Sequence, residues 1–397
     1  MLSLTLLTSI PSALSLGCLD ENGASVDWWF MIKHPRWRNK DHSEPVGDGT
    51  GTAYVFLTAE STTWRVGSKP ITDSSSLLGK QLEGIYAGTD ENYVFYNDEW
   101  PNGPSTETYG HSKGFFAYGK ESAFWVQHSI PKFPNYVDDG YFYGAGQCYY
   151  GQHAFCMTMS PADLDVVAGV MRYAHPWIYD HKVDGALANV NAIINNEKAS
   201  AGTILKDVTL RWGTLKVFGK TVASHDDMLQ NLLAPALDVS LLSQSWLNSG
   251  GPLGPSCPTS GNDVLDVLML TLPGPPSDTH VTYVDHSKWA VARESSNSWF
   301  CALDNNHVES QERRSGLAVC LQHAPLSAAT RAVAVEENSC GSDECGGAGA
   351  YPCKLGCTYI HKDDEGVCGV SDYGCYNCSL LPSACPECES SNIDLQV

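Results

Sequence analysis

Short runs of aromatic and β-branched residues, each bounded by turn-forming residues, recur through the first third of the chain. They occupy positions 27–33, 52–57, 93–96, 114–118 and 124–128. Runs of this length and composition are typical of β-strands. Successive side chains of a strand point to opposite faces, so we expect one of the adjacent Trp28 and Trp29 to face the core and the other to face the surface.

A second apolar pattern, with the spacing of a helix, begins near position 160. Ser160 is a good N-cap, and Pro161 suits the first helical turn. The apolar residues that follow fall on one face of the predicted helix: Leu164, Val167, Ala168 and Met171. Another helix is predicted to begin at Asp226-Asp227, with three leucines on one side: Leu229, Leu232 and Leu233.

Strand-like runs return in the second half of the chain, at 215–218, 264–272, 281–284 and 289–291. Strands and helices therefore alternate along the sequence, which predicts an α/β fold. A chain of 397 residues exceeds one ordinary core, so we expect two domains or two duplicated halves. Apolar residues form 43% of the chain, which is enough for such cores and excludes a wholly disordered protein.

The chain is strongly acidic. Its 45 acidic residues outnumber its 24 lysines and arginines, which gives a net charge of −21 when the histidines are neutral. This charge is unfavourable for a generic basic clamp on nucleic acid at neutral pH. Protonation of the 13 histidines would offset more than half of it, so a polyanionic substrate is easier to accommodate in an acidic compartment.

The two ends of the chain predict export and disulfide bonding. Residues 1–17 are leucine-rich, no charge precedes Asp20, and the small residues Ser15 and Gly17 suit cleavage before Cys18. A signal peptide is predicted here, with a buried N-terminal helix as the alternative. Nine of the 15 cysteines fall between Cys340 and Cys388. In an exported chain they predict disulfides rather than zinc, and a small, acidic, disulfide-rich tail over 341–397.

One tripeptide occurs twice, His111-Ser112-Lys113 and His286-Ser287-Lys288, each followed by a predicted strand, a polar turn and a second strand. In a strand, residues two apart share a face, so each histidine is expected to project with its lysine. Two related halves would bring both pairs into one pocket. Two imidazoles and two ammonium groups suit a phosphodiester, since lysines bind its oxygens while one histidine attacks phosphorus and the other protonates the leaving group. The alternative is that these are exposed residues on two unrelated hairpins.

These motifs and the sequences around them resemble the deoxyribonuclease II family, a divergent branch of the phospholipase D superfamily. The resemblance extends from about Cys18 to Cys340. The strings that carry it lie at 26–29, 96–98, 110–114, 128–134, 150–152, 176–179, 285–289 and 304–314.

The resemblance implies a pseudodimer of phospholipase D-like halves, each a mixed sheet flanked by helices, with one His-x-Lys pair per half in a cleft between them. It implies cleavage of DNA through a phosphohistidine, leaving 3′-phosphate and 5′-hydroxyl ends without a divalent ion. By analogy His111 is the nucleophile and His286 the general acid and then base, although the reverse assignment is also open. Lys113 and Lys288 would hold the phosphate oxygens.

Further residues are implicated by the same resemblance. Asn306 and Gln311 match polar family positions and are predicted to bind phosphate, and His128 with Ser129 occupies the comparable place in the first half. The chain departs from the family pattern at His307, where the family usually has arginine. The implied disulfides are Cys301–Cys320, Cys257–Cys340, and a bond from Cys18 to either Cys148 or Cys156.

The sequence therefore predicts an acid endodeoxyribonuclease that needs no metal or other cofactor, has DNA as its partner, and is secreted or lysosomal. Its halves are expected at 18–200 and 201–340. One alternative is a phosphodiesterase of the same superfamily that acts on another substrate. Another is a catalytically weak secreted binding protein or toxin that has kept the fold.

Overall fold

The protein is described by a computed structural model over residues 16–36, 49–89, 92–247, 251–274 and 278–340, with two short strands beyond them at 358–362 and 368–375. Most of the predicted signal peptide (1–17) therefore lies outside the described residues. So does the predicted tail (341–397), apart from the backbone of those two strands, which pair antiparallel.

The chain forms 21 strands and six α-helices in these residues. The strands are β1 (Cys18–Leu19), β2 (Ser25–Val26), β3 (Trp28–Lys33), β4 (Tyr54–Thr58), β5 (Arg65–Val66), β6 (Asn92–Asn97), β7 (Lys113–Tyr118), β8 (Ala123–His128), β9 (Gln152–Met159), β10 (Ile178–Lys182), β11 (Thr203–Leu210), β12 (Gly213–Lys220), β13 (Leu241–Gln244), β14 (Val264–Leu272), β15 (Asp278–Val281), β16 (Trp289–Ala292), β17 (Trp299–Leu303), β18 (Gly316–Gln322), β19 (Ala334–Glu337), β20 (Thr358–Lys362) and β21 (Cys368–Cys375). The helices are α1 (Leu77–Tyr86), α2 (Pro161–Ala174), α3 (Ala188–Ile194), α4 (Ala234–Leu237), α5 (Glu309–Glu312) and α6 (Ala324–Arg331).

Two large sheets form the body of the protein, which is therefore of mixed α/β type as predicted. The first sheet has the order β10-β6-β7-β8-β9-β3-β4-β5, and the second has the order β11-β12-β18-β17-β16-β13-β14-β15, with β19 also on β14. The expectation of a mixed sheet holds only for the second sheet, where β13 and β14 are parallel. The first sheet is antiparallel throughout.

The five strand-like runs in the first third of the chain all form strands of the first sheet. The prediction that one of Trp28 and Trp29 faces the surface is wrong, because both are buried. This sheet is covered on both faces. Trp28 packs in the apolar layer shared with the second sheet, and Trp29 lies on the opposite side, where its indole N–H donates to Gln81 of α1.

Three predicted elements of the later chain have mixed outcomes. Helix α2 begins as predicted, and the Ser160 side chain accepts the backbone N–H of Asp163. The helix predicted at Asp226-Asp227 starts instead as a π-helical turn, Met228–Leu233, which Asp227 caps before α4 continues the chain. The strand predicted at 281–284 is wrong in its bounds, since β15 ends at Val281 and a 3-10 turn over Thr282–Val284 follows it.

The two sheets face each other across one apolar layer. The ring of Phe30 in β3 lies 4.6 Å from that of Phe300 in β17, and Phe155 of β9 lies 5.5 Å from Phe300. Residues of both sheets thus belong to one continuous buried apolar cluster. Within the described residues, no helix is long and apolar enough to cross a membrane.

Three disulfides are present within the described residues. They are Cys18–Cys156, Cys257–Cys340 and Cys301–Cys320. The last two are the pairs that the resemblance implied, and the structure pairs Cys18 with Cys156 rather than with Cys148.

Candidate active site

Both His-x-Lys motifs lead into hairpins, as predicted, but they stand at the entrance of the first strand rather than within it. Lys113 is the first residue of β7, which pairs with β8, and Lys288 immediately precedes β16, which pairs with β17. The two histidines lie in the irregular segments before these strands. They are therefore placed by the loops around them and not by the sheet ladder.

Each motif is fixed by the backbone of the other half. The His111 N–H donates to the carbonyl of Ser315 (3.0 Å), and the His286 N–H donates to the carbonyl of Gly151 (2.8 Å). Glycine is required at both crossings. A Cβ on Gly110 would collide with the carbonyl of Ala174, and a Cβ on Gly151 would collide with the Asp285 carboxylate.

The two lysines have different surroundings. Lys113 forms ion pairs with Asp98 and, at 3.2 Å, with Glu99, and although burial opposes its charge these carboxylates raise its pKa above the ordinary value. Lys288 has no such pair among the described residues. Burial and the neighbouring Lys113 lower its pKa to about 8, and its ammonium donates to the carbonyl of His286 (3.2 Å). Both are charged in acid.

The His111 ring is oriented by the second half of the chain. Its Nδ1 lies 2.9 Å from Oε1 of Gln311, which also accepts from the Asn305 amide at 3.3 Å. An amide oxygen only accepts, so Nδ1 of His111 carries a proton and Nε2 of the neutral ring carries the lone pair. Gln311 is held in turn by Lys220, whose ammonium donates to the backbone carbonyl of Gln311 (2.8 Å).

The four residues of the two motifs share one electrostatic environment. The pKa of His111 is held well below its usual value by burial and by the charges of Lys113, Lys288 and Arg314. The pKa of His286 is lowered in the same way by burial, Lys288 and Lys113. The charges of both ammonium groups thus act on each histidine, which indicates that the two motifs lie near each other.

His128 and Ser129 lie at the end of β8 and are buried. Nδ1 of His128 accepts the backbone N–H of Ile130 (3.1 Å), and burial and the two motif lysines lower its pKa. The Ser129 hydroxyl donates to Gln152 and accepts the His153 N–H at 2.9 Å. The Ser129 hydroxyl is therefore engaged by the protein itself, whereas the buried Nε2 of His128 has no hydrogen-bond partner among the described groups.

Asn306 and His307 follow β17. The Asn306 side-chain oxygen accepts the backbone N–H of Trp246 (3.3 Å), which places the residue beside the second motif. His307 lies deeper, with Nδ1 at 2.8 Å from Asp266 and Nε2 at 3.8 Å from Asp227.

Several residues that contact the two motifs were not assigned from the sequence. The Asp98 carboxylate accepts from Lys113 and Arg314. The Asp304 carboxylate accepts from the Ser112 hydroxyl, the Gln127 amide and the backbone N–H of Leu317. His153 accepts the backbone N–H of Lys288 at 3.0 Å. Asp98, Asp304 and Arg314 stand inside the strings that carry the family resemblance, which was the available signal. His153 directly follows one of them.

A metal-like grouping also occurs here. One ligand atom each from Asp98, Glu99 and His111 lies within 4.8 Å of the others. The Lys113 ammonium already binds both carboxylates, so a cation would have to displace it. The donor set therefore fits an ammonium better than a divalent ion.

Comparison with known proteins identifies relatives along most of the chain. The family model described as Deoxyribonuclease II matches residues 17–340. Deoxyribonuclease-2-alpha of Mus musculus is 30% identical over 323 residues, covering 78% of this chain and 89% of the mouse protein. The Sus scrofa deoxyribonuclease-2-alpha is 30% identical over 322 residues, with 78% and 86% covered. Plancitoxin-1 of Acanthaster planci is 29% identical over 338 residues, with 81% and 92% covered.

Proposed function

The chain belongs to the deoxyribonuclease II family, and from this premise we propose that it is an acid endodeoxyribonuclease that hydrolyses DNA phosphodiesters without a metal ion. The observation that carries the proposal is that each motif histidine is hydrogen-bonded to the other half of the chain, His111 to Ser315 and His286 to Gly151, while the charges of both lysines act on both histidines. Two imidazoles supply a nucleophile and an acid, and two ammonium groups supply charge stabilisation.

The halves are proposed to form a pseudodimer of phospholipase D-like units, 18–200 and 201–340. The strand orders support it, because β6-β7-β8-β9-β3-β4 corresponds position by position to β13-β16-β17-β18-β12-β11, with every neighbouring pair antiparallel. The chain passes through β3 before β4 in the first half, whereas it passes through β11 before β12 in the second. The correspondence is therefore one of position in the sheet and of strand direction, and not of order along the chain.

In the proposed reaction, Nε2 of His111 attacks phosphorus and His286 protonates the departing 5′-oxygen. This step yields a 5′-hydroxyl end and a phosphohistidine that retains the 3′-oxygen. His286 then takes a proton from water, which attacks phosphorus and releases a 3′-phosphate and neutral His111. Gln311 supports this assignment, because its oxygen leaves the lone pair of His111 on Nε2.

The charge-stabilising groups in this proposal are Lys113 and Lys288, and both are protonated in acid. The pairing of Lys113 with Asp98 and Glu99 supports independence from divalent ions. The nucleophile must be neutral while the acid is protonated, and a bound phosphodiester would offset the lysine charges that suppress protonation of His286. A bell-shaped rate profile in the acid range follows.

The site of action is proposed to be a lysosome or the extracellular space, with DNA as the partner. The apolar N-terminus, the three disulfides and the family support this location. Asn306 and Gln311 are proposed to contribute to phosphate binding or orientation, since one contacts Trp246 beside His286 and the other contacts His111.

The test is cleavage of plasmid DNA at pH 5 in excess EDTA, with wild type compared with His111→Ala and His286→Ala. His181→Ala, on the exposed edge strand β10, is the matched control. We expect cleavage by wild type and the control, and a loss of about 10³-fold or more in each motif variant.

Absence of cleavage by wild type at every acidic pH would refute the nuclease proposal. The hypothesis of a secreted binding protein or toxin would then be favoured, and it predicts that His111→Ala leaves the biological effect of the protein intact. Equal cleavage by His111→Ala would refute the assignment of the nucleophile.

A further inference from the structure

The ring of His286 contacts two aromatic side chains, which lie on adjacent sides of it with their own centroids 6.1 Å apart. The Tyr150 ring is stacked on it, with centroids 4.0 Å apart and an interplanar angle of 18°. The Trp246 ring lies 4.1 Å away at 42°. Within the described part of the chain, His111 has no aromatic ring stacked on it, so the two histidines of the site differ in this respect.

Contacts within the protein place both aromatic residues next to His286. Tyr150 precedes Gly151, whose carbonyl accepts the His286 N–H at 2.8 Å. The Trp246 indole N–H donates to the carbonyl of Tyr283 (2.9 Å), and its backbone N–H donates to Asn306. One ring therefore comes from each half, and the pair fixes the plane of the imidazole in advance.

The charged groups that face His286 oppose its protonation. Lys288, Lys113 and Lys33 all act in this direction. The adjacent Asp285 carboxylate is turned away to His280 (2.9 Å) and to the Ser287 N–H (2.7 Å). The buried Nε2 of His286 has no hydrogen-bond partner among the described groups.

Aromatic rings provide the attraction for a positive charge that these neighbours do not provide. The face of an aromatic ring carries negative electrostatic potential and attracts a cation within about 6 Å, most strongly where water is excluded. The Tyr150 face is stacked on the ring of His286 and the tilted Trp246 ring lies within this range, so both favour its imidazolium form without adding a titratable carboxylate.

We propose that Tyr150 and Trp246 are positioning residues that hold the His286 ring and stabilise its protonated form. This rests on the proposed role of His286 as proton donor. The pair then accounts for the division of labour between two nearly identical motifs: the rings favour the imidazolium form of His286, whereas His111 has no such ring, is bound to Gln311 and stays neutral.

The first test needs no substrate. The imidazole of His286 is titrated by NMR in wild type, Tyr150→Leu, Trp246→Leu and the corresponding phenylalanine variants, with the resonance assigned from His286→Asn. We expect the midpoint to fall by about 0.5 to 1 pH unit in each leucine variant and to recover in the phenylalanine variants, which keep a π face. Tyr149→Leu is the matched control, because that exposed ring lies over Arg36.

The second test is kinetic. In the leucine variants, kcat for plasmid cleavage at pH 5 should fall about tenfold while KM changes less than about twofold, and the alkaline limb of the rate profile should move to lower pH. Thermal unfolding of each variant shows whether it is folded. Unmoved midpoints and an unmoved pH profile with a raised KM would overturn the proposal, since the rings would then bind DNA. If wild type does not cleave DNA, the proposed nuclease function fails, and the NMR titration still decides the effect of the two rings on His286.

Discussion

At the scale of single residues, His307 is the clearest departure from the resemblance that the sequence showed. It is fully buried, and its Nδ1 and Nε2 face Asp266 and Asp227. Burial disfavours its charge, but the two carboxylates raise its pKa to about 9. The chain thus keeps a positive charge where the family usually has arginine. The His307 side chain lies between β14 and the residue that caps the π-helical turn.

This arrangement predicts a pH dependence of stability. The folded pKa of His307 is about 9 and the unfolded value is about 6.5, so its contribution is complete below the unfolded value and is lost as pH rises through 9. The loss is on the order of 3 kcal/mol. Urea unfolding of wild type from pH 6 to 10 should show this fall.

The control variants for this prediction are His307→Arg, which stays charged, and His307→Gln, which never is. We expect the free energy of unfolding of His307→Arg to show no fall between pH 7 and 9.5. That of His307→Gln should be low at every pH. An identical slope in wild type and His307→Arg would show that another group titrates.

At the scale of elements, the site is made by hairpins and a one-turn helix. The β7–β8 and β16–β17 hairpins carry the motifs, and α5 carries Gln311 to His111. The longer helix α2 packs in the apolar cluster that both sheets share, and the carbonyl of its last residue, Ala174, lies against Gly110. The stability of α2 therefore affects the placement of the first motif.

The N-cap of α2 gives a prediction at this scale. The Ser160 hydroxyl oxygen accepts the Asp163 N–H at 3.2 Å, and the same hydroxyl donates to the Asp163 carboxylate at 2.6 Å. Ser160→Ala removes both contacts and should lower the free energy of unfolding by about 1 kcal/mol. Ser160→Thr should keep most of it. Urea midpoints at constant m-value measure the difference, and an unchanged midpoint in Ser160→Ala would contradict the role of the cap.

At the scale of the whole molecule, each motif histidine is held by a segment that lies far from it along the chain. His111 is fixed by Ser315 and Gln311, whereas His286 is fixed by Gly151. Asp304 joins the halves directly, since its buried carboxylate accepts from Ser112 and Gln127 of the first half. Burial raises its pKa to about 6, although these donors act in the opposite direction.

Asp304 therefore offers a test of the link between the halves. Asp304→Asn replaces one accepting oxygen with a donor that faces other donors, so we expect kcat/KM at pH 5 to fall about 10- to 100-fold and stability to fall by about 2 kcal/mol. Asp207→Asn, which removes only the partly exposed pair with Lys216, is the control. Activity equal to that of the control would mean that the halves are aligned by apolar packing alone.

The sequence by itself determined the hairpin strands, the start of α2 and the two His-x-Lys motifs, because each is written in consecutive residues through apolar period, capping residues or repetition. The family resemblance added two disulfide pairs and pointed to Gln311. It left open whether Cys148 or Cys156 bonds Cys18.

Only the tertiary structure decided the contacts between distant segments. It buried both Trp28 and Trp29, because a second sheet covers the face that would otherwise be exposed. It also placed Gln311 on His111 and aromatic rings on His286. Such pairs leave no periodic signal along the chain, since their partners meet only when the two sheets pack together.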